Sequence, residues 1–278
     1  MSKNQEVQKI KINIDNNIEY HALYWQSDQF QSKIAVIYYH GLNGKTKIVK
    51  PLLNGLKQYD FYAIEQRGHR GSGLKTSTNV KKHIKDIDNI VSYLKNKYDK
   101  IYLCGESMGA LYISLYGYYF ADKVSAIFAW SIPFYPKDIM KEKKITKLKI
   151  FIRVFLCFIF KWNYYYSAKV DYPKLTSSKF LLKLNEMNIN TKSSCAEEIA
   201  IWKGSLKIKR LFTHYQPCIP IFYWQGGLDI MSSNKLLQKI QKKNYINSSL
   251  IPNAMHILMY EPGFDMIVQF IQKYINSH

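Results

Sequence analysis

Ser107 lies in the motif Gly-Glu-Ser-Met-Gly, which spans residues 105–109. A short apolar run, residues 101–104, precedes the motif, and a helix-like run, residues 110–120, follows it. A serine on a sharp turn between a strand and a helix sits in a strained backbone, and small neighbours let the strand and the helix pass each other. The helix also points its first N–H groups at a developing negative oxygen. The motif therefore predicts that Ser107 is a nucleophile.

A serine nucleophile needs an adjacent base, and the base needs a third group that orients it. Asp229 and His256 follow two later predicted strands, in the chain order serine, acid, histidine. Carboxyl ends of parallel strands are where an open sheet collects its site residues. We therefore predict that Asp229 orients His256, which accepts the Ser107 proton. The plain alternative is that Asp229 only caps the next helix, in which case Asp122 or Asp138 would be the acid.

A glycine-containing loop, residues 40–44 (His-Gly-Leu-Asn-Gly), follows another predicted strand. Glycines in such a loop let the backbone approach a substrate carbonyl closely. Stabilising the oxyanion requires two N–H donors, and we predict those of Met108 and Leu42. His40 and Gly41 are predicted to border the substrate. The alternative is that the loop is simply a tight turn.

The spacing of apolar residues predicts the elements that must position these groups. A turn signal at residues 15–17 predicts a hairpin between the first two strands. Alternation of strands and helices predicts an α/β fold with a mostly parallel central sheet flanked by helices. The predicted strands are residues 7–14, 18–25, 33–39, 61–65, 101–105, 124–130, 219–224 and 247–251, and the predicted helices are residues 47–59, 80–97, 110–120 and 264–275.

Residues 133–213 break this alternation, being lysine-rich, then aromatic and apolar, then polar. We predict an inserted, mainly helical cap there, with residues 1–132 and 214–278 forming the core. Basic flanks, an apolar centre at residues 150–160 and a Trp/Tyr cluster are typical of a helix lying in a bilayer surface. The same apolar face would also suit an ordinary lid over the site. An apolar, aromatic cap favours an acyl chain as the substrate.

Together with the loop at residues 65–72 (Glu-Gln-Arg-Gly-His-Arg-Gly-Ser), these motifs resemble the monoacylglycerol lipase and lysophospholipase branch of the α/β-hydrolases, often grouped with the serine aminopeptidase S33 hydrolases. The resemblance covers residues 30–130 and 215–275 and does not extend into the cap. The loop in that family usually reads Asp-x-Arg-Gly-His-Gly-x-Ser. Glu65 and Arg70 depart from this pattern, and Arg70 adds a bulky cation near the base of the site.

The resemblance implies a serine hydrolase that cleaves the carboxylic ester of a fatty acyl chain through an acyl-enzyme on Ser107, with no metal or organic cofactor. Its substrate would be like a monoacylglycerol or a lysophospholipid. A thioesterase or acyltransferase would share the acyl-enzyme. An aminopeptidase would need carboxylates to hold the substrate amine, and the cap has few. A non-catalytic membrane-binding homologue would show a broken set of site residues, and no break is visible.

The net charge of +20 has two interpretations. It would attract an anionic surface, either a membrane or a nucleic acid. Alternatively it reflects AT-rich coding sequence, which favours the Lys, Asn, Ile and Tyr that are abundant here. The lysines are dispersed and no recognition motif is present, so we predict no specific nucleic-acid partner.

The predicted location is the cytoplasm, with the basic, aromatic cap as a peripheral contact to a membrane. The four cysteines form no C-x-x-C pair, which is typical of free thiols in a reducing compartment. The first residues are polar and predict no signal peptide. The longest apolar stretch, residues 151–160, is interrupted by Arg153 and is too short to span a bilayer.

Overall fold

The computed structural model describes residues 7–14, 18–29, 32–42, 44, 49–69, 72–120, 122–134, 165–167, 172–186 and 192–278. Its strands are β1 (Gln8–Asn13), β2 (Glu19–Trp25), β3 (Ile34–Tyr39), β4 (Asp60–Ile64), β5 (Lys100–Glu106), β6 (Ala126–Trp130), β7 (Tyr165–Ser167), β8 (Lys192–Ser194), β9 (Ile221–Gly226) and β10 (Asn247–Ile251). Its α-helices are α1 (Lys50–Gly55), α2 (Val80–Lys95), α3 (Met108–Tyr116), α4 (Lys179–Glu186), α5 (Cys195–His214), α6 (Asn234–Lys243) and α7 (Phe264–Ser277).

Eight strands form one sheet in the order β1-β2-β4-β3-β5-β6-β9-β10. Every neighbouring pair from β4 to β10 is parallel, whereas β2 is antiparallel to both β1 and β4. The predicted α/β class, a mostly parallel sheet flanked by helices, is therefore confirmed. The antiparallel pairing of β1 with β2 also agrees with the predicted hairpin, whose turn at residues 15–17 lies outside the described residues.

Helices cover both faces of the sheet. Side chains of successive strand residues point to opposite faces, so each central strand packs against both layers of helices. In β3, Ile37 and Tyr39 pack with α2, α3, α5 and α6, whereas Val36 and Tyr38 pack with α1 and α7. Burial on both faces explains why this strand is a continuous apolar run. The sheet therefore forms the middle of three layers and holds the ends of its parallel strands at one edge.

Several predicted element ends were wrong. The helix predicted over residues 47–59 is α1, which ends at Gly55, because the Leu56 N–H bonds to the Leu53 carbonyl and the chain turns into β4. The helix predicted to follow the serine as far as residue 120 is α3, which begins at Met108 and ends at Tyr116. The strand predicted over residues 219–224 is β9, which extends to Gly226.

Helix α5 lies within the residues predicted to form the cap. It packs against α3, and its Ala200, Ile201, Ile208 and Phe212 side chains are buried in the same cluster as α3. The basic and aromatic part of the predicted cap, residues 135–164, lies outside the described residues, so the division into core and cap stays a prediction. None of the helices within the described ranges is both long enough and apolar enough to cross a membrane.

Candidate active site

Ser107 occupies a strained turn between β5 and α3. Its backbone angles are φ 52° and ψ −115°, a conformation that costs energy for any residue with a side chain. The Ser107 N–H donates to the Trp130 carbonyl at 3.0 Å, and the Leu111 N–H donates to the Ser107 carbonyl at 2.9 Å. The turn is thus held from the neighbouring strand and from the helix, and it presents the serine at the carboxyl end of β5.

Gly105 and Gly109 are required by close packing on either side of Ser107. A Cβ atom added to Gly109 would lie 2.1 Å from the Tyr39 carbonyl oxygen, where β3 ends. A Cβ atom on Gly105 would lie 2.8 Å from the Ala110 nitrogen. Backbone atoms cannot move aside as a flexible side chain can. The two glycines of the motif therefore let α3 cross the ends of β3 and β5.

The structure brings Ser107, His256 and Asp229 together in one hydrogen-bonded chain. Nε2 of His256 lies 2.9 Å from Oγ of Ser107. Nδ1 of the same ring lies 2.9 Å and 3.0 Å from the two carboxylate oxygens of Asp229. With the ring proton on Nδ1, His256 donates to Asp229 and accepts from the serine hydroxyl. His256 and Asp229 are each 6% exposed, so the hydrogen bond between them is shielded from bulk water.

Asp229 and His256 lie on two loops that are bonded to each other. These loops follow β9 and β10, which are parallel neighbours. The Leu228 N–H donates to the Ala254 carbonyl at 2.9 Å. A Cβ atom on Gly226 would lie 2.4 Å from that same carbonyl oxygen, so only glycine allows the loops this close. The adjacent strands therefore set the separation between acid and imidazole.

Asp229 also makes a local backbone contact of the kind expected from the alternative interpretation, in which it only caps the next helix. Its Oδ1 accepts from the Met231 N–H at 2.7 Å. The two roles are compatible, because a carboxylate has several acceptor positions. Of the substitute acids, Asp122 is exposed and Asp138 lies outside the described residues.

The His256 imidazole has a raised pKa. Burial alone would lower it, but the Asp229 carboxylate, through its charge and its hydrogen bond, outweighs burial, and Glu106 acts in the same direction. The result is a pKa above the ordinary value of 6.5. A raised pKa makes the imidazole a stronger base, which suits removal of a serine proton.

Two backbone segments that carry the predicted oxyanion donors lie next to Ser107. A Cβ atom on Gly41 would lie 3.2 Å from the Ser107 Cβ, so the glycine brings the loop after β3 against the serine. The Gly44 N–H donates to the Gly41 carbonyl at 2.9 Å, and this turn bond does not use the Leu42 N–H. Met108 is the first residue of α3, and helices leave their first N–H groups without an internal acceptor. The loop after β3 and the start of α3 thus both lie next to Ser107, and the oxyanion roles of Leu42 and Met108 stay predictions.

The His40 side chain lies beneath that loop. Its Nδ1 donates to the Gly41 carbonyl at 2.8 Å, and its Nε2 accepts from the Gln66 N–H at 3.4 Å. Burial first, and then His69, lower the pKa of His40 to about 3, so the ring is neutral. The predicted substrate contact of His40 finds no support in this geometry, because both ring nitrogens are engaged with backbone. We infer that His40 holds the loop in place.

A buried, uncharged cluster continues from His40 into α5. The His69 ring meets the His40 ring edge to face, with centroids 4.6 Å apart. His69 Nδ1 lies 3.1 Å from a Glu197 carboxyl oxygen. Burial lowers the pKa of His69 to about 4 and raises that of Glu197 to about 8. Both shifts favour the uncharged forms, so burial opposes an ion pair between these two groups.

Sequence reasoning missed this cluster and also Glu106, the variable position of the serine motif. Burial raises the pKa of Glu106 to about 7, although the nearby His256 opposes the shift. Its position next to the nucleophile was the one signal available. Nothing in the spacing of His69 and Glu197 indicates that they meet.

A mostly parallel sheet with a strained serine after β5, and an acid and a histidine after β9 and β10, defines the α/β-hydrolase class. The chain belongs to the family described as serine aminopeptidase, S33, whose model matches residues 31–263. No curated protein matches the sequence significantly.

Solved structures with the same fold include two monoacylglycerol lipases. A soluble variant of monoglyceride lipase from Saccharomyces cerevisiae, in complex with a substrate analog, has a TM-score of 0.79 at 17% identity, over 100% of this chain and 96% of that one. Monoacylglycerol lipase from Paleococcus ferrophilus has a TM-score of 0.76 at 18% identity, over 94% and 100%. A Pyrococcus furiosus esterase has a TM-score of 0.63 at 18% identity, over 98% and 91%. At such identities the likeness establishes the fold.

Proposed function

We propose that this protein is a serine hydrolase that cleaves the carboxylic ester of a fatty acyl chain, in a substrate such as a monoacylglycerol or a lysophospholipid. The observation that carries the proposal is the hydrogen-bonded chain from Ser107 through His256 to Asp229. The closeness of the loop after β3 to Ser107, and the start of α3 at Met108, support it, because these segments carry the predicted oxyanion donors Leu42 and Met108. A nucleophile, a base, an orienting acid and an oxyanion site are the parts that acyl transfer needs.

The reaction follows from these positions. Ser107 Oγ attacks the ester carbonyl carbon while His256 Nε2 accepts the hydroxyl proton, and Asp229 stabilises the resulting imidazolium. The Leu42 and Met108 N–H groups stabilise the oxyanion of the tetrahedral intermediate. His256 then donates its proton to the leaving alcohol, and the acyl group remains on Ser107. A water molecule, deprotonated by His256, attacks the carbonyl carbon of this acyl-enzyme. The bond to Ser107 Oγ then breaks, His256 returns the proton to Ser107, and the fatty acid leaves.

An acyl chain as the substrate is supported by the surroundings of the site. Leu228 and Ile230, on either side of Asp229, are both exposed, and so is Phe180 in the segment predicted as cap. Exposed apolar side chains beside a site favour an apolar ligand over a charged one. Two of the structures that share the fold are monoacylglycerol lipases. A thioesterase or an acyltransferase remains the alternative, because it would use the same acyl-enzyme.

The chain-length preference tests the substrate class. We expect kcat/KM for p-nitrophenyl esters to rise from acetate towards long acyl chains, because each buried methylene contributes about 0.8 kcal/mol, or about fourfold. Initial rates below the critical micelle concentration measure this, with a monoacylglycerol, a lysophospholipid and an acyl thioester assayed in parallel. Activity confined to acetate would contradict the fatty acyl proposal, and turnover of the thioester alone would favour the alternative.

We propose an anionic membrane surface as a partner, contacted through α5. Trp202 and Leu206 lie one turn apart on this helix and are 51% and 54% exposed. An exposed face that combines apolar groups and cations is typical of helices that lie in a bilayer surface. The exposed cations of the helix are Lys203, Lys207, Lys209 and Arg210.

The free thiols of Cys104 and Cys218 support a reducing compartment, and hence the cytoplasmic side.

Vesicle binding tests this contact. We expect the protein to sediment with phosphatidylcholine vesicles that contain phosphatidylserine and not with phosphatidylcholine alone. Changing Lys209 and Arg210 to Gln is expected to weaken binding about 30-fold, at about 1 kcal/mol for each cation. Changing Lys242 and Lys243 to Gln, on the exposed end of α6, is the matched control for loss of charge. Equal weakening by both pairs would assign the attraction to net charge and contradict a site on α5.

A further inference from the structure

Glu261 is a buried carboxylate near the histidine loop, and the mechanism above does not use it. It is 5% exposed and follows the short 3₁₀ helix Leu258–Tyr260. Four donors surround it, which suits a group that only accepts hydrogen bonds. The donors are Thr176 Oγ1 at 2.6 Å, Ser177 N at 2.7 Å, Ser177 Oγ at 2.8 Å and Met255 N at 3.3 Å.

These bonds join two segments that are distant in the sequence. Thr176 and Ser177 lie in the segment Leu175–Ser178, which leads into α4 and falls within the predicted cap. Met255 directly precedes His256. The carboxylate therefore lies between the cap segment and the loop that carries the imidazole, and it bonds to both.

The residues on both sides of His256 are held by backbone hydrogen bonds. The Met255 N–H donates to Glu261, and the Ile257 N–H donates to the Leu175 carbonyl at 2.9 Å. Phe180 of α4 also stacks on Tyr260, with ring centroids 5.7 Å apart. A displacement of the segment 175–178 would therefore displace the backbone of His256.

We propose that Glu261 is a positioning residue that fixes His256 by clamping its loop to the segment Leu175–Ser178. The proposal rests on the proposed function, because it takes His256 as the base. The imidazole must stay within hydrogen-bonding distance of Ser107 and Asp229 at once, and a shift of about 1 Å is enough to cost 100-fold in rate. The clamp also couples the placement of the cap segment to the placement of the base.

Glu261→Gln tests the clamp, because an amide of the same shape presents N–H groups to donors. We expect kcat to fall roughly 10- to 100-fold, while KM changes little. We also expect the acid limb of the pH–rate profile to move to lower pH, because a displaced imidazole loses part of the Asp229 interaction that raises its pKa. Loss of stability alone would not move that limb.

Asp60→Asn is the matched control. Asp60 is another buried carboxylate, 8% exposed, that accepts hydrogen bonds from Tyr24, Ser27 and Tyr98 at the amino end of β4, opposite the site. We expect this variant to lose stability and to keep the wild-type kcat and acid limb in its folded fraction.

Ser177→Ala decides the question if Glu261→Gln does not fold. Ser177 is exposed, and its hydroxyl supplies one of the four bonds to Glu261. We expect a smaller fall in kcat with a shift of the acid limb in the same direction. Ser27→Ala is the control, since it removes a hydroxyl bonded to the Gln58 carbonyl, remote from the site.

The outcomes separate the two proposals. A wild-type kcat and acid limb in the folded Glu261 or Ser177 variant would overturn the clamp, provided that Ser107→Ala is inactive. If Ser107→Ala keeps full activity, the proposed function itself fails. A fall in kcat of equal size in Asp60→Asn would assign the effect to stability and would also overturn the clamp.

Discussion

Ser107→Ala is expected to lower kcat for ester hydrolysis on the order of 10⁶-fold, the cost of removing a serine nucleophile from such a hydrogen-bonded set. The variant keeps His256, Asp229 and both oxyanion donors, but it has no oxygen to form the acyl-enzyme. Steady-state hydrolysis of the best p-nitrophenyl ester measures the loss. Labelling by a fluorophosphonate, followed by intact-protein mass spectrometry, shows whether a covalent adduct still forms.

Ser114→Ala is the matched control for that experiment. Ser114 lies on the same helix, α3, and is fully buried. Its Oγ has no hydrogen-bond partner among the described residues, so its removal disturbs little. We expect wild-type activity and labelling. Residual turnover by Ser107→Ala above about one thousandth of wild type would show that another group carries the reaction, since oxyanion donors and binding alone supply far less.

Asp229→Asn is expected to lower kcat on the order of 10⁴-fold, because an amide presents an N–H to the imidazole and favours the wrong tautomer. The amide oxygen can still accept from the Met231 N–H, so the turn is preserved. The pH dependence changes as well. In the wild type the rate falls as the pH drops through the raised pKa of His256, above 6.5, because the protonated ring cannot act as a base. Without the carboxylate, burial dominates and the acid limb moves to lower pH.

Asp122→Asn is the control for Asp229→Asn. It also tests Asp122 as the alternative acid that the sequence analysis names. Asp122 is exposed, and we expect its variant to keep the wild-type rate and pH profile. Full pH–rate profiles of kcat/KM for both variants measure this. A large loss in Asp122→Asn together with a mild effect in Asp229→Asn would reverse the assignment.

The sheet could be predicted because its signal is local. A buried parallel strand is a run of apolar residues, and β3, predicted over residues 33–39, spans Ile34–Tyr39 and is buried over nearly its whole length. Ser107, Asp229 and His256 could be selected because each follows a strand, and strand ends converge at one edge. Chain order and placement were enough to name them, without any information on distances.

The supporting contacts could not be predicted, because they join side chains far apart in the sequence. Thr176 and Glu261 are 85 residues apart, and no periodicity marks either one. His69 and Glu197 meet only because α5 packs beside the loop that carries His69. Element ends were also missed, since α3 ends at Tyr116 and not at residue 120. Such details depend on tertiary packing, which a periodic pattern does not encode.

The uncharged cluster beneath the oxyanion loop has a consequence for headgroup selection. Burial favours the uncharged forms of His40, His69 and Glu197, so this cluster contributes little net charge to the field at the site near pH 7. If the proposed function holds, a zwitterionic phosphocholine and a neutral glycerol would therefore be distinguished by groups outside this cluster. The choice between a phospholipid and a glyceride headgroup would then be separable from the chemistry and open to change by substitutions elsewhere.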